Sequence, residues 1–139
     1  MPHVHQATLE IATSGRGFYD ASAKVRAVVE QSGIRTGICT VFVQHTSASL
    51  VIQENADPSV RRDLDAWMSE LAPESRRWEH DDEGADDMPA HARAAITKTS
   101  ETIPVGGGDL LLGTWQALYL WEHRAAPHRR RLVVTVIGA

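Results

Sequence analysis

The sequence contains a single cysteine, Cys39, among its 139 residues. No disulfide can form within one chain, so a reducing compartment is expected. A basic excess is also missing, because 14 lysines and arginines face 18 aspartates and glutamates, and nucleic-acid binding is therefore not expected. No run of about 18 apolar residues occurs, and the N-terminus lacks a basic segment followed by an apolar one, so neither a membrane span nor a signal peptide is expected. These absences predict a cytoplasmic protein.

What is present is the mixture typical of a globular domain. Hydrophobic residues make up 42% of the chain, with 10 glycines and 6 prolines. At roughly 100–200 residues per domain, we expect one domain that spans residues 1–139. Seven histidines and four tryptophans are the less usual features, and they direct the search for a site toward imidazole chemistry.

Strand and helix patterns run along the chain. Alternating apolar residues predict a strand over Val4–Ala12. Runs rich in β-branched, aromatic and other apolar residues predict further strands over Gly37–Thr46, Ser49–Glu54, Glu101–Val105, Leu110–Glu122 (with a break at Gly113) and Leu132–Ile137. Apolar residues three and four apart predict helices that run from Asp20 to Gly33, from Asp57-Pro58 to Pro73 and from Met88-Pro89 to Lys98. Strands come in pairs between helices, without the regular alternation of a parallel sheet. We therefore expect an α+β fold, a single-domain two-layer sandwich with one largely antiparallel sheet and helices packed on one face.

The densest group of titratable side chains lies between Trp78 and His91. It holds six carboxylates and two imidazoles in fourteen residues. Carboxylates this close repel one another, and a divalent cation commonly offsets the repulsion. A solvated acidic loop is the competing interpretation, because no HExxH or paired-cysteine spacing marks a known zinc site. The residues alone leave both interpretations open.

Three shorter polar segments are further candidates. His45 leaves a strand together with Thr46 and Ser47, which suits a phosphate or a polar heterocycle but also a turn that caps itself. Asn55 precedes a helix, where an amide can orient an anion, and the neighbouring Asp57 is explained by helix capping. The segment 123–131 carries four arginines and two histidines. Arginine suits phosphate or carboxylate, and a solubilising turn is the alternative.

Taken in order, these segments resemble the YjbQ-like family, also called secondary thiamine-phosphate synthases. The likeness covers residues 14–18, 44–50, 54–58, 80–91 and 122–124, and so nearly the whole chain. Its most specific part is similar to the family signature at every fixed position and reads Ser100-x-x-Ile103-x-Val105-x-x-Gly108-x4-Gly113-Thr114-Trp115-Gln116-x-Leu118.

The resemblance implies a small α/β sandwich that assembles as a homotrimer, with its site close to subunit contacts. It implies a weak or accessory thiamine-phosphate synthase activity, in which a hydroxymethylpyrimidine diphosphate joins a thiazole phosphate and pyrophosphate leaves. The expected substrates are thus phosphorylated small metabolites. A histidine-bound divalent metal ion, often taken as zinc, is associated with some members.

For this reaction, negative charge develops on the leaving diphosphate, where a divalent cation and arginines would stabilise it. We assign Arg124 and Arg131 to the diphosphate, and Trp115 with Gln116 to the pyrimidine. Two metal assignments compete: magnesium on carboxylates, or zinc on imidazoles with an open position. The first set is Asp81, Asp86 and Asp87, and the second is His45, His80 and His91. The remaining predicted site residues are Thr46, Ser47, Asn55 and Asp57.

The sequence is also compatible with two other functions. A metal-dependent hydrolase of a small metabolite would use the same three histidines around a bound water. A trimeric module could instead bind a metal or a ligand without catalysis. Trp115, Tyr119 and Trp121 alternate along one predicted strand and would pack either against a neighbouring subunit or in the core. The sequence does not assign His123 or His128 to the site.

Overall fold

The computed structural model describes residues 2–139, which contain eight strands and three helices. The elements in chain order are β1 His3–Thr13, β2 Gly17–Asp20, α1 Ser22–Ser32, β3 Gly37–Val43, β4 Ala48–Glu54, α2 Pro58–Leu71, α3 Asp87–Ile96, β5 Ser100–Gly106, β6 Asp109–Leu110, β7 Gln116–Glu122 and β8 His128–Gly138. None of these helices is long and apolar enough to cross a membrane.

The strands pair antiparallel into two sheets. One has five strands in the order β1-β8-β3-β5-β6, and the other has three in the order β2-β7-β4. Helix α1 contacts strands of both sheets, whereas α2 contacts β2 and α3 contacts β4. The predicted α+β class with antiparallel pairing is confirmed. The expectation of one sheet is corrected, because the chain changes sheet between β1 and β2 and again between β3 and β4.

Element boundaries differ from the predicted ones mainly near the C-terminus. The predicted strand Leu132–Ile137 is the middle of β8, which begins at His128 and pairs with β1 from that residue onward. Part of the basic segment is therefore strand and not a solubilising turn. The predicted strand Leu110–Glu122 is interrupted, since β6 ends at Leu110 and β7 starts at Gln116.

The hydrophobic core lies between the two sheets and α1. In β3, Cys39, Val41 and Val43 are at most 1% exposed, whereas Ile38 and Phe42 are 45% and 46% exposed on the outer face of the five-stranded sheet. This alternation is the expected consequence of the strand period. Burial raises the pKa of the Cys39 thiol to about 11, so this residue acts as a small buried hydrophobe.

Two of the three alternating aromatic residues belong to the core. Tyr119 and Trp121 of β7 are 4% and 3% exposed, and the Trp121 ring stacks on Phe18 of β2 with centroids 4.4 Å apart. Trp115 precedes β7 and is 64% exposed. The core alternative is thus correct for Tyr119 and Trp121 but not for Trp115.

The predicted helix starts agree with the structure to within two residues. Asp57 caps α2, because its Oδ1 accepts the Ser59 N–H at 2.9 Å, and Pro58 occupies the first helical turn. Helix α1 begins at Ser22, and Asp20 Oδ1 accepts the Ser22 N–H at 2.8 Å from just outside the helix. Helix α3 starts one residue before the predicted position and ends at Ile96 instead of Lys98.

A buried ion pair joins the two sheets where β7 ends and β8 begins. Arg130 donates from Nε to Glu122 Oε1 at 2.8 Å and from Nη2 to Oε2 at 2.6 Å, and the Thr13 hydroxyl donates to Oε1 at 2.7 Å. Arg130 Nη2 also donates to Ser47 Oγ at 2.9 Å. Although burial alone would raise the pKa of Glu122, the hydrogen bonds and charge of Arg130 lower it. Glu122 belongs to one sheet and Arg130 to the other, so the pair fixes their relative position.

Replacing Arg130 with methionine should destabilise the protein strongly. The Arg130→Met variant leaves the Glu122 carboxylate buried without its cation, which costs about 3–5 kcal/mol of unfolding free energy. A Glu122→Leu/Arg130→Met double variant should lose less, because no charge stays buried. Urea denaturation of both variants measures the difference.

Arg129→Met is the matched control for this experiment. Arg129 neighbours Arg130 in the chain, but its side chain is 80% exposed and pairs with Glu10 on the surface. Exposed pairs contribute up to about 1 kcal/mol, so this variant should stay close to the wild type. Equal stability of Arg129→Met and Arg130→Met would contradict a structural role for the buried pair.

Candidate metal centre

Two histidines and one aspartate meet at the start of α3. Asp87 and His91 are four residues apart on the helix, so both side chains project from one face. His80 comes from the segment that precedes the helix. One nitrogen from each histidine and one oxygen of Asp87 lie within 4.8 Å of one another.

Both imidazoles contact the same oxygen of Asp87. The distance from His80 Nε2 to Asp87 Oδ2 is 2.7 Å, and that from His91 Nε2 to the same oxygen is 3.3 Å. The Asp87 side chain is 2% exposed, whereas those of His80 and His91 are 43% and 31% exposed. A buried carboxylate thus contacts two imidazoles that are partly exposed to solvent.

The orientation of His91 is fixed by the backbone of the turn after β3. Its Nδ1 lies 2.9 Å from the carbonyl oxygen of Thr46, which can only accept a hydrogen bond. Nδ1 therefore carries a proton, and Nε2 is the ring nitrogen that faces the Asp87 carboxylate. Either a proton or a metal ion on Nε2 can bridge this nitrogen and the carboxylate. A ring N–H donated to a backbone carbonyl is also the usual second-shell arrangement of metal-binding histidines.

Arg124 holds the other oxygen of Asp87. Its Nη1 donates to Asp87 Oδ1 at 2.7 Å, its Nε donates to Asp86 Oδ2 at 3.1 Å, and its Nη2 donates to the Glu83 carbonyl at 3.2 Å. All three guanidinium nitrogens are thus engaged. In this structure Arg124 orients the two aspartates, and its assignment to a diphosphate stays a prediction.

The electrostatics of the cluster follow from these contacts. The pKa of His80 is raised, first by the hydrogen bond to Asp87 and then by the charges of Asp87, Asp82 and Glu83. Burial alone would raise the pKa of Asp87, but the His80 hydrogen bond and the charges of His91 and Arg124 lower it. The carboxylate of Asp87 is therefore ionised at neutral pH and available as a ligand.

Neither metal set predicted from the sequence assembles completely. In the described residues the cluster contains His80 and His91 but not His45, whose Nε2 accepts the backbone N–H of Arg131 at 2.8 Å. Of the three carboxylates proposed for magnesium, only Asp87 belongs to the cluster. Asp81 is exposed, and Asp86 is bound by Arg124. The structure combines parts of both sets in one His-Asp-His group.

The turn after β3 still adjoins the cluster. His45 and Thr46 line a hollow of 250 Å³ together with His91. Burial and the nearby Arg130 and Arg131 charges lower the pKa of His45. Ser47 does not line this cavity, because its hydroxyl is buried against Arg130.

A larger cleft opens beside His80. It has a volume of 680 Å³ and is lined by Trp78, Glu79, His80, Asp81, Asp82 and Met88. The indole of Trp78 is fixed, because its Nε1 donates to the Pro73 carbonyl at 3.1 Å. His80 and His91 therefore face two different hollows, one acidic and one largely apolar.

The remaining predicted site residues lie at the opposite end of the three-stranded sheet. Asn55 Nδ2 donates to the carbonyls of Thr114 and Gln116 at 3.2 and 3.4 Å, and Gln116 Oε1 accepts the Gly113 N–H at 2.8 Å. Asp57 caps α2 next to them, and Trp115 is exposed there. Strand β4 separates this group from the cluster by six residue steps, about 20 Å at ~3.3 Å per residue. Within one chain, these residues and the His-Asp-His group do not form one site.

Three buried polar residues received no individual role from the sequence. Arg130 lies on the same strand face as Leu132 and Val134, and extending that alternation backward would have revealed it. Arg93, 2% exposed, donates to the Ala72 carbonyl at 3.0 Å and so ties α3 to the end of α2. His123 is 1% exposed, with its Nε2 2.9 Å from Ser49 Oγ.

Comparison with known proteins agrees with the fold and the sequence pattern. The family described as UPF0047 protein YjbQ-like has a sequence model that matches residues 7–139. The chain is 57% identical over 135 residues to UPF0047 protein sll1880 of Synechocystis sp., covering 96% of this chain and 92% of the relative. It is 37% identical over 135 residues to UPF0047 protein YjbQ of Escherichia coli O157:H7, covering 96% and 98%.

The chain belongs to the YjbQ family. Solved structures of the family share its architecture. A YbjQ-like protein of unknown function from Sulfolobus solfataricus P2 superposes with a TM-score of 0.87 at 29% identity and covers 99% of this chain and 100% of that one. A YjbQ/UPF0047 protein from Clostridium acetobutylicum also gives 0.87, at 32% identity and with 94% and 98% coverage.

The buried state of His123 predicts acid sensitivity. Burial, with a further contribution from Arg93, lowers its pKa from 6.5 to about 3. Below pH 6.5 the unfolded chain therefore binds a proton at His123 that the folded chain does not, and folding becomes less favourable as the pH falls toward 3. At pH 5 this residue should cost about 2 kcal/mol relative to pH 8.

Urea denaturation of the wild type and of His123→Gln across pH 5–8 measures this contribution. All other titrating groups are common to both proteins, so the difference in their unfolding free energies isolates residue 123. As the pH falls from 8 to 5, the unfolding free energy of the wild type should decrease more than that of His123→Gln. A difference that stays constant with pH would mean that His123 is not held neutral in the fold.

Proposed function

We propose that His80, Asp87 and His91 bind a divalent metal ion. The observation that carries this proposal is the pair of imidazole nitrogens on one carboxylate oxygen, with the His91 proton committed to the Thr46 carbonyl. Two histidines and one carboxylate with open positions are a donor set typical of catalytic zinc. Magnesium prefers oxygen ligands only, so the imidazoles favour zinc or another transition ion.

The distances are compatible with such a centre. Two tetrahedral ligands at ~2.0–2.1 Å from zinc lie roughly 3.3 Å apart, which is the distance from His91 Nε2 to Asp87 Oδ2. The shorter His80 contact of 2.7 Å is a hydrogen bond, so the ion would replace its proton. Arg124 and the Thr46 carbonyl would act as the second shell that fixes Asp87 and His91.

For the reaction, we propose the thiamine-phosphate synthase type implied by the family resemblance. The bound cation would supply positive charge to a diphosphate leaving group. The 680 Å³ cleft beside His80 offers space for the substrate, and Trp78 gives it a fixed aromatic wall. Arg131 has no ion-pair partner among the described residues and carries an exposed side chain, so it can still contact a phosphate. For Trp115 and Gln116 to contact the pyrimidine at this metal centre, they would have to come from another subunit.

A metal-dependent hydrolase is the second candidate, and the acidic cleft favours it. Glu79, Asp81 and Asp82 line the same cleft. Their charge suits a neutral or cationic substrate, whereas a diphosphate could bind there only with the metal ion to offset the repulsion. An ion with an open position can there activate a water. The two reactions share one metal centre and differ in their products.

Metal content tests the shared centre. Purified wild-type protein, dialysed against zinc and then against buffer, should hold about one zinc per chain by elemental analysis. His91→Ala and Asp87→Asn each remove a ligand and should lower zinc affinity by at least tenfold, judged from the ~10–100-fold effect of second-shell changes alone. His3→Ala, an exposed histidine on β1, is the control and should bind zinc like the wild type. Zinc retained by both site variants would contradict the assignment.

Product analysis separates the two reactions. Incubated with hydroxymethylpyrimidine diphosphate and thiazole phosphate, the zinc-loaded wild type should form thiamine phosphate and pyrophosphate, and Asp87→Asn should not. Release of pyrophosphate or phosphate without thiamine phosphate would support the hydrolase. Formation of neither product by a zinc-loaded protein would favour a binding module.

We also propose that the chain forms the homotrimer implied by the resemblance, through the outer face of the five-stranded sheet. Ile38, Phe42 and Ile137 are 43–46% exposed on this face, and no helix covers it in the described residues. Light scattering should give about 46 kDa, three times the 15.3 kDa chain. Phe42→Lys should shift the mass toward the monomer, whereas Trp67→Lys, on exposed helix α2, should not. A wild-type monomer at micromolar concentration would contradict the proposal.

A further inference from the structure

A separate cleft lies between β2 and the first half of α2. Its volume is 440 Å³, and its walls are Arg16, Gly17, Phe18, Pro58, Arg61, Arg62, Asp65 and Ala66. None of the residues of the His-Asp-His cluster lines it. We call it the arginine cleft.

Two of its three arginines are held in place by other groups. Arg16 Nη2 donates to Asp65 Oδ2 at 3.3 Å and to the Ser69 hydroxyl. Arg61 Nη1 donates to the Glu54 carbonyl at 3.0 Å and to the Tyr119 hydroxyl at 3.1 Å. The Arg61 guanidinium also lies over the Tyr119 ring, 5.3 Å from its centroid. Such fixed guanidinium groups lose little freedom when they bind an anion.

Arg61 keeps donors for a ligand. Only its Nη1 takes part in the contacts above, which leaves Nε and Nη2 uncommitted within the described residues. Arg62, its neighbour on α2, is exposed and has no ion-pair partner among those residues. Two adjacent guanidinium groups can thus present several N–H donors to the same cleft.

The carboxylates near the arginine cleft do not cancel its charge. Asp65 is the single acid in its wall, and its oxygens are used by Arg16 and by the Trp121 indole, which donates to Oδ1 at 3.3 Å. Asp57 stands outside the wall at the start of α2. The pKa of Asp57 is lowered first by its hydrogen bonds with Ser59 and then by Arg62 and Arg61. Asp20 and Glu54 also lie outside the wall, near Tyr119. The wall itself holds three arginines against one aspartate and is therefore positively charged.

One wall of the arginine cleft is aromatic. The Phe18 ring stacks on Trp121 with centroids 4.4 Å apart and meets Tyr119 edge-on at 5.7 Å. Since Trp121 is itself held by Asp65, the position of Phe18 is fixed from behind. The cleft therefore combines cationic donors with a rigid apolar surface.

We propose that the arginine cleft binds a small anion, a phosphate monoester or a carboxylate, that is attached to a flat or apolar group. Arg61 and Arg62 bind the anion, and Phe18 contacts the attached group. Arg16 positions the wall through Asp65. This site is distinct from the metal centre and does not depend on it, so it can be tested in metal-free protein.

Calorimetric titration of the EDTA-treated full chain at low salt tests the proposal with four probes. Phenyl phosphate and benzoate carry an anion on a ring, inorganic phosphate lacks the ring, and benzylamine carries the opposite charge. Phenyl phosphate or benzoate should bind at one site per chain and more tightly than inorganic phosphate, and benzylamine should not bind. The tighter of the two anionic ring probes distinguishes a phosphate site from a carboxylate site.

Variants locate the binding. Arg62→Gln should weaken binding of the tighter probe about tenfold, because a charge-assisted hydrogen bond is lost, and Arg61→Gln should do the same. Phe18→Leu should reduce the advantage of phenyl phosphate over inorganic phosphate. Arg26→Gln, an exposed helical arginine of α1 that lies outside the cleft, changes net charge equally and should bind like the wild type.

Three results would overturn the proposal. They are no binding of either anionic ring probe to the wild type, unchanged binding by both Arg61→Gln and Arg62→Gln, and an equal loss in Arg26→Gln. Because Arg62 makes no ion pair in the described part of the fold, its variant remains informative even if Arg61→Gln unfolds.

Discussion

The ion pair between Glu122 and Arg130 is the constraint on which the rest of the structure depends. It is buried and doubly hydrogen-bonded, and it joins the last residue of β7 in one sheet to β8 in the other. Breaking such a pair leaves a buried charge, so the two sheets are held in one relative position. Ser47 is bound to the same guanidinium, which fixes the turn after β3. The fold and the candidate centre therefore share a single anchor.

The candidate metal centre is assembled around this anchor from three segments. Thr46, next to the anchored Ser47, orients His91 through its carbonyl, and Arg124, two residues after Glu122, holds Asp87. Helix α3 brings Asp87 and His91 onto one face. The buried carboxylate thus receives an arginine on one oxygen and two imidazoles on the other. The acidic and the basic segments of the sequence meet here, which explains why a chain of modest net charge contains both.

Local patterns predicted much of the fold, and long-range contacts account for what they missed. Asp57 caps its helix and Cys39 is buried, because sequence neighbours decide both features. The division into two sheets depends on where the chain crosses between them, and no local period records that. In the site, His80 and His91 were identified as candidate ligands, and the structure places both on Asp87. His45 is not part of the cluster, because its Nε2 accepts a hydrogen bond from the backbone N–H of Arg131 in β8. Arg124 binds Asp86 and Asp87. Both contacts join residues far apart in the sequence, so only the folded chain shows them.

The most direct test of the metal centre is anomalous X-ray scattering at the zinc edge from crystals of the zinc-loaded protein. A single strong peak should lie within ~2.0–2.2 Å of His80, of Asp87 and of His91 Nε2, with Arg124 still on the second oxygen of Asp87. No peak between these three side chains, or a peak coordinated elsewhere while they keep their hydrogen bonds, would contradict the account.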